Sequence, residues 1–181
     1  MKSIKEMTQG ELAAFIQSHL REKGIDVILS GGATVSIYSS NRYVSLDLDL
    51  INSFSAKRRV LRETMQELGF HEEGRYFEHP NTQFFVEFPP GPLAVGVEPV
   101  KQIDEIKFST GMLRIISPTD CVKDRLAAYY HWDDLQCLEQ AVLVAQANMV
   151  NLAEIERWSA GEGKLEEFRR IRNKLTKKKE P

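Results

Sequence analysis

Apolar positions recur at helical spacing over several long segments and at every second residue over several short ones. From Thr8 to Lys23, Leu12, Phe15, Ile16 and Leu20 form one stripe, which predicts a helix. Thr8 followed by Glu11 supplies a capping box at its start, and Gly24 stops it. A short apolar run over 25–29 predicts a strand that runs into a turn at Gly31 and Gly32, and Ala33 to Ser39 is helix-compatible. Between 44 and 51 the pattern changes to alternation: Leu46, Leu48 and Leu50 take one face, Asp47 and Asp49 the other. A helix over about 56–68 follows, capped by Ser53 or Ser55, with Leu61, Met65 and Leu68 inward and Gly69 as its stop. Its outer face carries Lys57, Arg58, Arg59 and Arg62, which reads as a solvated face in preference to a phosphate or RNA contact.

Residues 70–100 read as β-rich. Arg75 to Glu78 and Gln83 to Phe88 are suited to a hairpin around His79-Pro80-Asn81-Thr82, and Pro89-Pro90-Gly91-Pro92 ends the second strand. His71, Glu72, Glu73 and His79 match no zinc spacing and read as loop residues. Apolar runs at Ile103–Phe108 and Met112–Ile116 flank Gly111, the second leading as a strand into helices. Ser117 as N-cap, Pro118 at the first helical position and Asp120 two residues later make a strong helix start. That helix runs to about Tyr130, with Val122, Leu126 and Tyr129 inward. A second starts near Asp133 with Leu135, Leu138, Val142, Ala145 and Met149; a third follows Asn151, with Glu154 completing a capping box and Gly161 and Gly163 breaking it. A fourth carries Leu165, Phe168, Ile171 and Leu175 and ends in Lys177-Lys178-Lys179, basic residues that suit a helix C-terminus. The expected architecture is α/β: a small mixed sheet with flanking helices over 1–116, then a C-terminal helical bundle over 117–181 packed on that core.

Composition narrows the function classes. A chain of 181 residues, 42% hydrophobic and 28% charged, has the make-up of a soluble globular protein with a sizeable core. Its net charge of −2 gives no global basic field for long nucleic acids. No apolar run approaches a membrane span and the N-terminus lacks a signal-peptide pattern, so the cytoplasm is the expected location. Cys121 and Cys137 sit in separate helical patterns and read as buried thiols.

The candidate chemistry lies in the acidic strand. The period of two points Asp47 and Asp49 the same way, ~7 Å apart along the strand. Side by side they repel, and a hard divalent ion such as Mg²⁺ or Mn²⁺ is their natural counter-charge. Aspartate is depleted in strands, so a pair of them asks for a reason. Upstream, Gly31 and Gly32 leave backbone N–H groups open to an anion. Within Gln83–Phe88, Phe84, Val86 and Phe88 alternate with Phe85 and Glu87, so Glu87 joins the aspartates on one face if the two strands are neighbours.

Gly-Gly, then Asp-x-Asp, then an acidic residue on a later strand resembles the DNA polymerase β-type nucleotidyltransferase superfamily, and within it the small group that includes AbiEii-type toxins. Arg42 and Ser45 ahead of the acidic pair are similar to that group, as are Ser117-Pro118-Thr119-Asp120, Arg125-Leu126 and Asp134-Leu135 later on. The spacing from Gly32 to Asp47 is slightly long for the family, Arg125 stands where Lys is usual with Lys123 nearby, and Glu87 stands where Asp is common. The resemblance implies metal-dependent transfer of a nucleoside monophosphate from a nucleoside triphosphate to an acceptor: a small molecule such as an aminoglycoside, a tRNA or a protein hydroxyl. It implies Asp47, Asp49 and Glu87 as metal-binding and catalytic residues. It implies Ser30, Gly31, Gly32, Ser45 and Lys123 or Arg125 as nucleotide-binding residues, and a toxin-type enzyme with an antitoxin partner. The alternative is a non-catalytic nucleotide- or RNA-binding regulatory module on the same fold. A glycosyltransferase using Asp-x-Asp accounts for neither the Gly-Gly turn nor Glu87.

Overall fold

The structure is a computed structural model that describes residues 2–52 and 58–176. The capping Ser53 or Ser55, Lys57 and the Lys177–Lys179 run lie outside the described residues. Helix α1 (Gln9–Glu22) begins at the expected capping box, Thr8 accepting from the Glu11 N–H and Glu11 accepting from the Thr8 N–H at 2.8 Å. Leu12, Ile16 and Leu20 on its inner stripe are fully buried. Strand β1 (Val27–Ser30) is buried throughout, as a central strand requires, and passes through Gly31 into the short helix α2 (Gly32–Tyr38). The acidic strand β2 (Asp47–Asn52) buries Leu48 and Leu50, and helix α3 (Arg58–Glu67) buries Leu61 and Met65. The outward arginines of α3 are engaged: Arg58 and Arg62 pair with Glu72, and Arg59 with Glu63. That is the solvated-face reading.

Strands β3 (His71–Glu73), β4 (Tyr76–Glu78) and β5 (Phe85–Glu87) follow, then a small separate hairpin of β6 (Ala94–Val95) and β7 (Glu98–Pro99), then β8 (Ile103–Phe108) and β9 (Gly111–Ile116). The expected β4–β5 hairpin is present with Tyr76 opposite Glu87 and Phe77 opposite Val86. His71–Glu73 differ from the loop reading: they form the edge strand β3, antiparallel to β4. The seven-stranded mixed sheet has the order β3-β4-β5-β2-β1-β9-β8, in which β1 is antiparallel to β2, and the pairs β2–β5 and β1–β9 are parallel.

Four helices follow among the described residues: α4 (Pro118–Trp132), α5 (Leu135–Ala147), α6 (Leu152–Gly161) and α7 (Leu165–Thr176). Ser117 caps α4 and Asp134 caps α5. Three details of the pattern differ. On α4 the buried ring is Tyr130, stacked near Trp158 and sharing a hydrogen bond with Ser159, and Tyr129 is only half-buried. On α5 the buried face is Leu138, Ala141, Val144 and Ala145; Leu135, 67% exposed, stands on the outer side, and Met149, 97% exposed, lies beyond the helix end. At α6 Asn151 caps, accepting from the Glu154 N–H, but the box does not close. The Glu154 carboxylate is taken by Lys123 and Arg157, and the Asn151 N–H donates to Thr119 instead.

The sheet separates two cores. One holds Leu12, Ile16, Leu29, Leu48, Leu50, Phe77 and Val86 beneath α1 and α3. The other holds Ile28, Val35 and Ile116 with the inner faces of α4 to α7. On β2, odd positions therefore face the C-terminal helices' side and even positions the α1 side. Cys121 and Cys137 are free and buried, as expected.

Candidate active site

Asp47 and Asp49 emerge on the face opposite Leu48 and Leu50 because the strand alternates. The parallel pairing to β5 sets Asp47 beside Phe85 and Asp49 beside Glu87, while the antiparallel pairing to β1 sets Ser30 beside Asp49. Glu87 is thus on the face of the two aspartates, and its side chain is 21% exposed rather than turned to bulk water.

Gly31 has φ of +69°, a left-handed value that glycine adopts without a steric cost. A Cβ there would lie 2.0 Å from Asp49 Oδ2, so the Asp49 carboxylate occupies the room that the missing side chain leaves. Gly32 is not in that region; a Cβ on it would sit 2.9 Å from Ser45 Oγ. Ser45 is fixed from three sides. Its N–H donates to Ser36 Oγ at 2.9 Å, its carbonyl accepts from Gln9 Nε2 at 2.7 Å, and its Oγ accepts from the Asp47 N–H at 3.3 Å.

Burial, then the charges of Glu87 and Asp47, raise the Asp49 carboxyl to about 6; Arg125 acts in the opposite sense and Asp124 adds to the rise. Mutual repulsion among anionic oxygens is what an oxygen-seeking divalent ion relieves, so the donor set fits such an ion. Among the described residues, no group of three or more His, Cys, Asp or Glu side chains is drawn close enough to hold a metal ion as it stands. Glu87 is meanwhile drawn toward Arg75, with 3.6 Å between its Oε2 and Arg75 Nε.

The two candidate cations of α4 separate. Positions two apart on a helix lie on nearly opposite sides. Arg125 is on the side of Asp49, held by an ion pair to Asp124 and by a hydrogen bond to Gln140 Oε1 at 3.4 Å. Lys123 is 7% exposed and pairs with Asp120 at 2.7 Å and Glu154 at 3.3 Å, in a polar cleft shared with Glu98 and Asn151. Of the expected site residues, the structure gathers Ser30, Gly31, Gly32, Ser45, Asp47, Asp49, Glu87 and Arg125, and not Lys123. Arg75 and Gln140 enter from parts of the chain whose spacing carries no sign of the site, and Asp124 enters beside Arg125. The resemblance residue Arg42 is exposed.

No family model and no curated protein matches the chain. Solved structures do. A nucleotidyltransferase-like protein from Paracoccidioides brasiliensis aligns over 92% of this chain and 91% of its own, with a TM-score of 0.66 and 12% identity. The antibiotic-resistance factor ANT(2'')-Ia aligns in its solution structure over 86% of this chain and 93% of its own, with a TM-score of 0.53 and 14% identity. Its crystal structure with adenylyl-2''-tobramycin aligns over 81% and 92%, with a TM-score of 0.52 and 16% identity. The chain has a nucleotidyltransferase-like fold: a seven-stranded mixed sheet flanked by helices, with a helical C-terminal region.

Proposed function

We propose that the protein is a metal-dependent nucleotidyltransferase, moving a nucleoside monophosphate from a nucleoside triphosphate to an acceptor. The observation that carries this reading is the convergence of Asp47, Asp49 and Glu87 on one sheet face, against the Gly31-Gly32 turn and Arg125. The likeness to ANT(2'')-Ia, whose structure holds an adenylylated product, supports it.

Asp47 and Asp49 would hold divalent ions, Mg²⁺ or Mn²⁺, and Glu87 would hold one on the acceptor side. When bound, such ions neutralise charge on the attacking and leaving oxygens of an in-line displacement. Glu87 can also take the proton of the attacking hydroxyl. The backbone of Gly31 and Gly32 is open to the β and γ phosphates, Ser30 and Ser45 offer hydrogen bonds, and Arg125 offsets the charge of the departing pyrophosphate. A toxin-type role with an antitoxin partner belongs to the same proposal.

Incubation with each labelled triphosphate, Mg²⁺ and cell extract tests the reading: label should pass to an acceptor fraction. Glu87→Gln should keep triphosphate binding and lose transfer by about 10²-fold or more, the scale for a positioned base. One observation favours a second reading, a non-catalytic nucleotide- or RNA-binding module: among the described residues, no group of three or more His, Cys, Asp or Glu side chains is drawn together closely enough to hold a metal ion. Triphosphate binding with no transfer to any acceptor would establish that reading.

A further inference from the structure

The strand registers order the sheet face beyond the acidic residues. Ser30, Asp49, Glu87, Tyr76 and Glu73 form one row across five strands. Asp47 and Phe85 begin the next row, and His71 faces Glu78 further along the sheet. The Gly31-Gly32 turn lies on the β1 side of Asp49, and Tyr76 and Phe85 lie on the other. Their rings are 5.9 Å apart, half-buried, and belong to neither core. Buried Phe77 and Val86 face the other way.

An in-line displacement puts the acceptor opposite the departing pyrophosphate. With the triphosphate tail at Gly31, Gly32 and Arg125, the acceptor comes in over β5 and β4. We propose that Tyr76 and Phe85 form the acceptor platform and select a small ring-bearing alcohol without phosphate groups, whose ring lies against theirs. This rests on the nucleotidyltransferase reading above. Carboxylates at Glu73 and Glu78 share the face and repel phosphodiesters, which disfavours a nucleic-acid end. Arg75 now lies over the Tyr76 ring, 4.7 Å from its centroid, and against Glu87. Its side chain is 69% exposed, so an incoming ring takes its place over Tyr76 in exchange for its hydrogen bond to the Tyr76 hydroxyl and its 3.6 Å approach to Glu87.

The test offers labelled triphosphate and Mg²⁺ with a panel of neutral and amine-bearing saccharides in one arm and bulk tRNA in the other. Calorimetric titration of triphosphate–Mg²⁺ runs in parallel. Label should enter a saccharide. Tyr76→Ala and Phe85→Ala should each raise its KM about tenfold, the scale of one lost aromatic contact, with triphosphate–Mg²⁺ affinity within twofold of the parent. Tyr76→Phe should restore KM. Arg75→Ala, which uncovers the ring, should lower KM. Label in tRNA alone, no labelled saccharide despite triphosphate binding, an unchanged KM in both alanine variants, or an unchanged or raised KM in Arg75→Ala would each overturn the proposal. Absence of triphosphate–Mg²⁺ binding in the parent would instead remove the nucleotidyltransferase reading itself.

Discussion

Asp49 lies where burial, two neighbouring carboxylates and a glycine meet. Gly31 is the more constrained of the two glycines, because it combines a left-handed φ with a Cβ position 2.0 Å from Asp49 Oδ2. Gly31→Ala should therefore cost about 1–2 kcal/mol in the turn alone and also push the carboxylate out of place. The expected result is a lower melting temperature together with loss of divalent-ion stabilisation. Gly32→Ala asks only Ser45 to give way, so it should keep more of both; equal losses in the two variants would refute the assignment. The Asp49 carboxyl carries a pH signature. Its folded value, about 6, lies above the ordinary 3.8, so the protonated form is favoured by folding. The stability it contributes is fully present below about pH 4 and is lost as pH rises through 6, by at most about 3 kcal/mol. Without divalent ions, stability against pH over that window should fall less steeply in Asp49→Asn than in the parent. Ion binding needs the carboxylate, so divalent affinity should decline as pH drops below 6.

Helix α4 shows how two neighbouring cations acquire different duties from helical period alone. Lys123 neutralises Asp120 in a nearly buried pair, and breaking such a pair leaves a buried charge without compensation. Lys123→Met should destabilise the protein by about 3 kcal/mol and leave the triphosphate affinity of the folded fraction unchanged. Arg125→Met should do the reverse, weakening triphosphate binding by about tenfold or more with a smaller change in melting temperature. Calorimetric titration and thermal melts of both variants separate the two; a Lys123→Met protein that is stable but blind to triphosphate would reverse the assignment. The elements that local chemistry specifies were legible in the sequence. The Thr8 and Ser117 caps, the alternation through Leu48 and Leu50, and the hairpin around His79–Thr82 all stand as read. What was not legible depends on partners distant in sequence. Glu72 and its neighbours became an edge strand because β4 offered an unpaired side. Glu154 left its cap for Lys123, 31 positions away. Met149 and Leu135 follow the apolar pattern of α5, yet no element among the described residues buries them. The pattern could offer both Lys123 and Arg125 as phosphate ligands, but only the packing of α4 on the sheet decides which one turns toward Asp49.

The candidate site belongs to the molecule as a whole, since β1, β2, β5, α2 and α4 each bring something to it and neither core contains it. Its carboxylates are an unresolved repulsion inside an otherwise well-paired fold. Most other partly buried acids have a cation or N–H partner, such as Asp26 with Arg114, Glu11 with Lys2 and Asp120 with Lys123. Asp49, by contrast, is shifted upward by its burial and then by the charges of Glu87 and Asp47. A ligand that binds only the native state stabilises it by RT ln(1 + [L]/Kd), about 2.7 kcal/mol at a hundredfold excess over Kd. For a chain of this length that corresponds to roughly 5–10 °C in melting temperature. Mg²⁺ or Mn²⁺ should produce such a rise in the parent, and Ca²⁺ serves as a check that the response follows oxygen ligation and not catalysis. In the double variant Asp47→Asn with Asp49→Asn the rise should vanish. The metal-free variant should melt at or above the parent temperature, because the like-charge contact and the buried charge are both gone. A metal-free double variant several degrees less stable than the parent would mean that the two aspartates hold the sheet together rather than an ion.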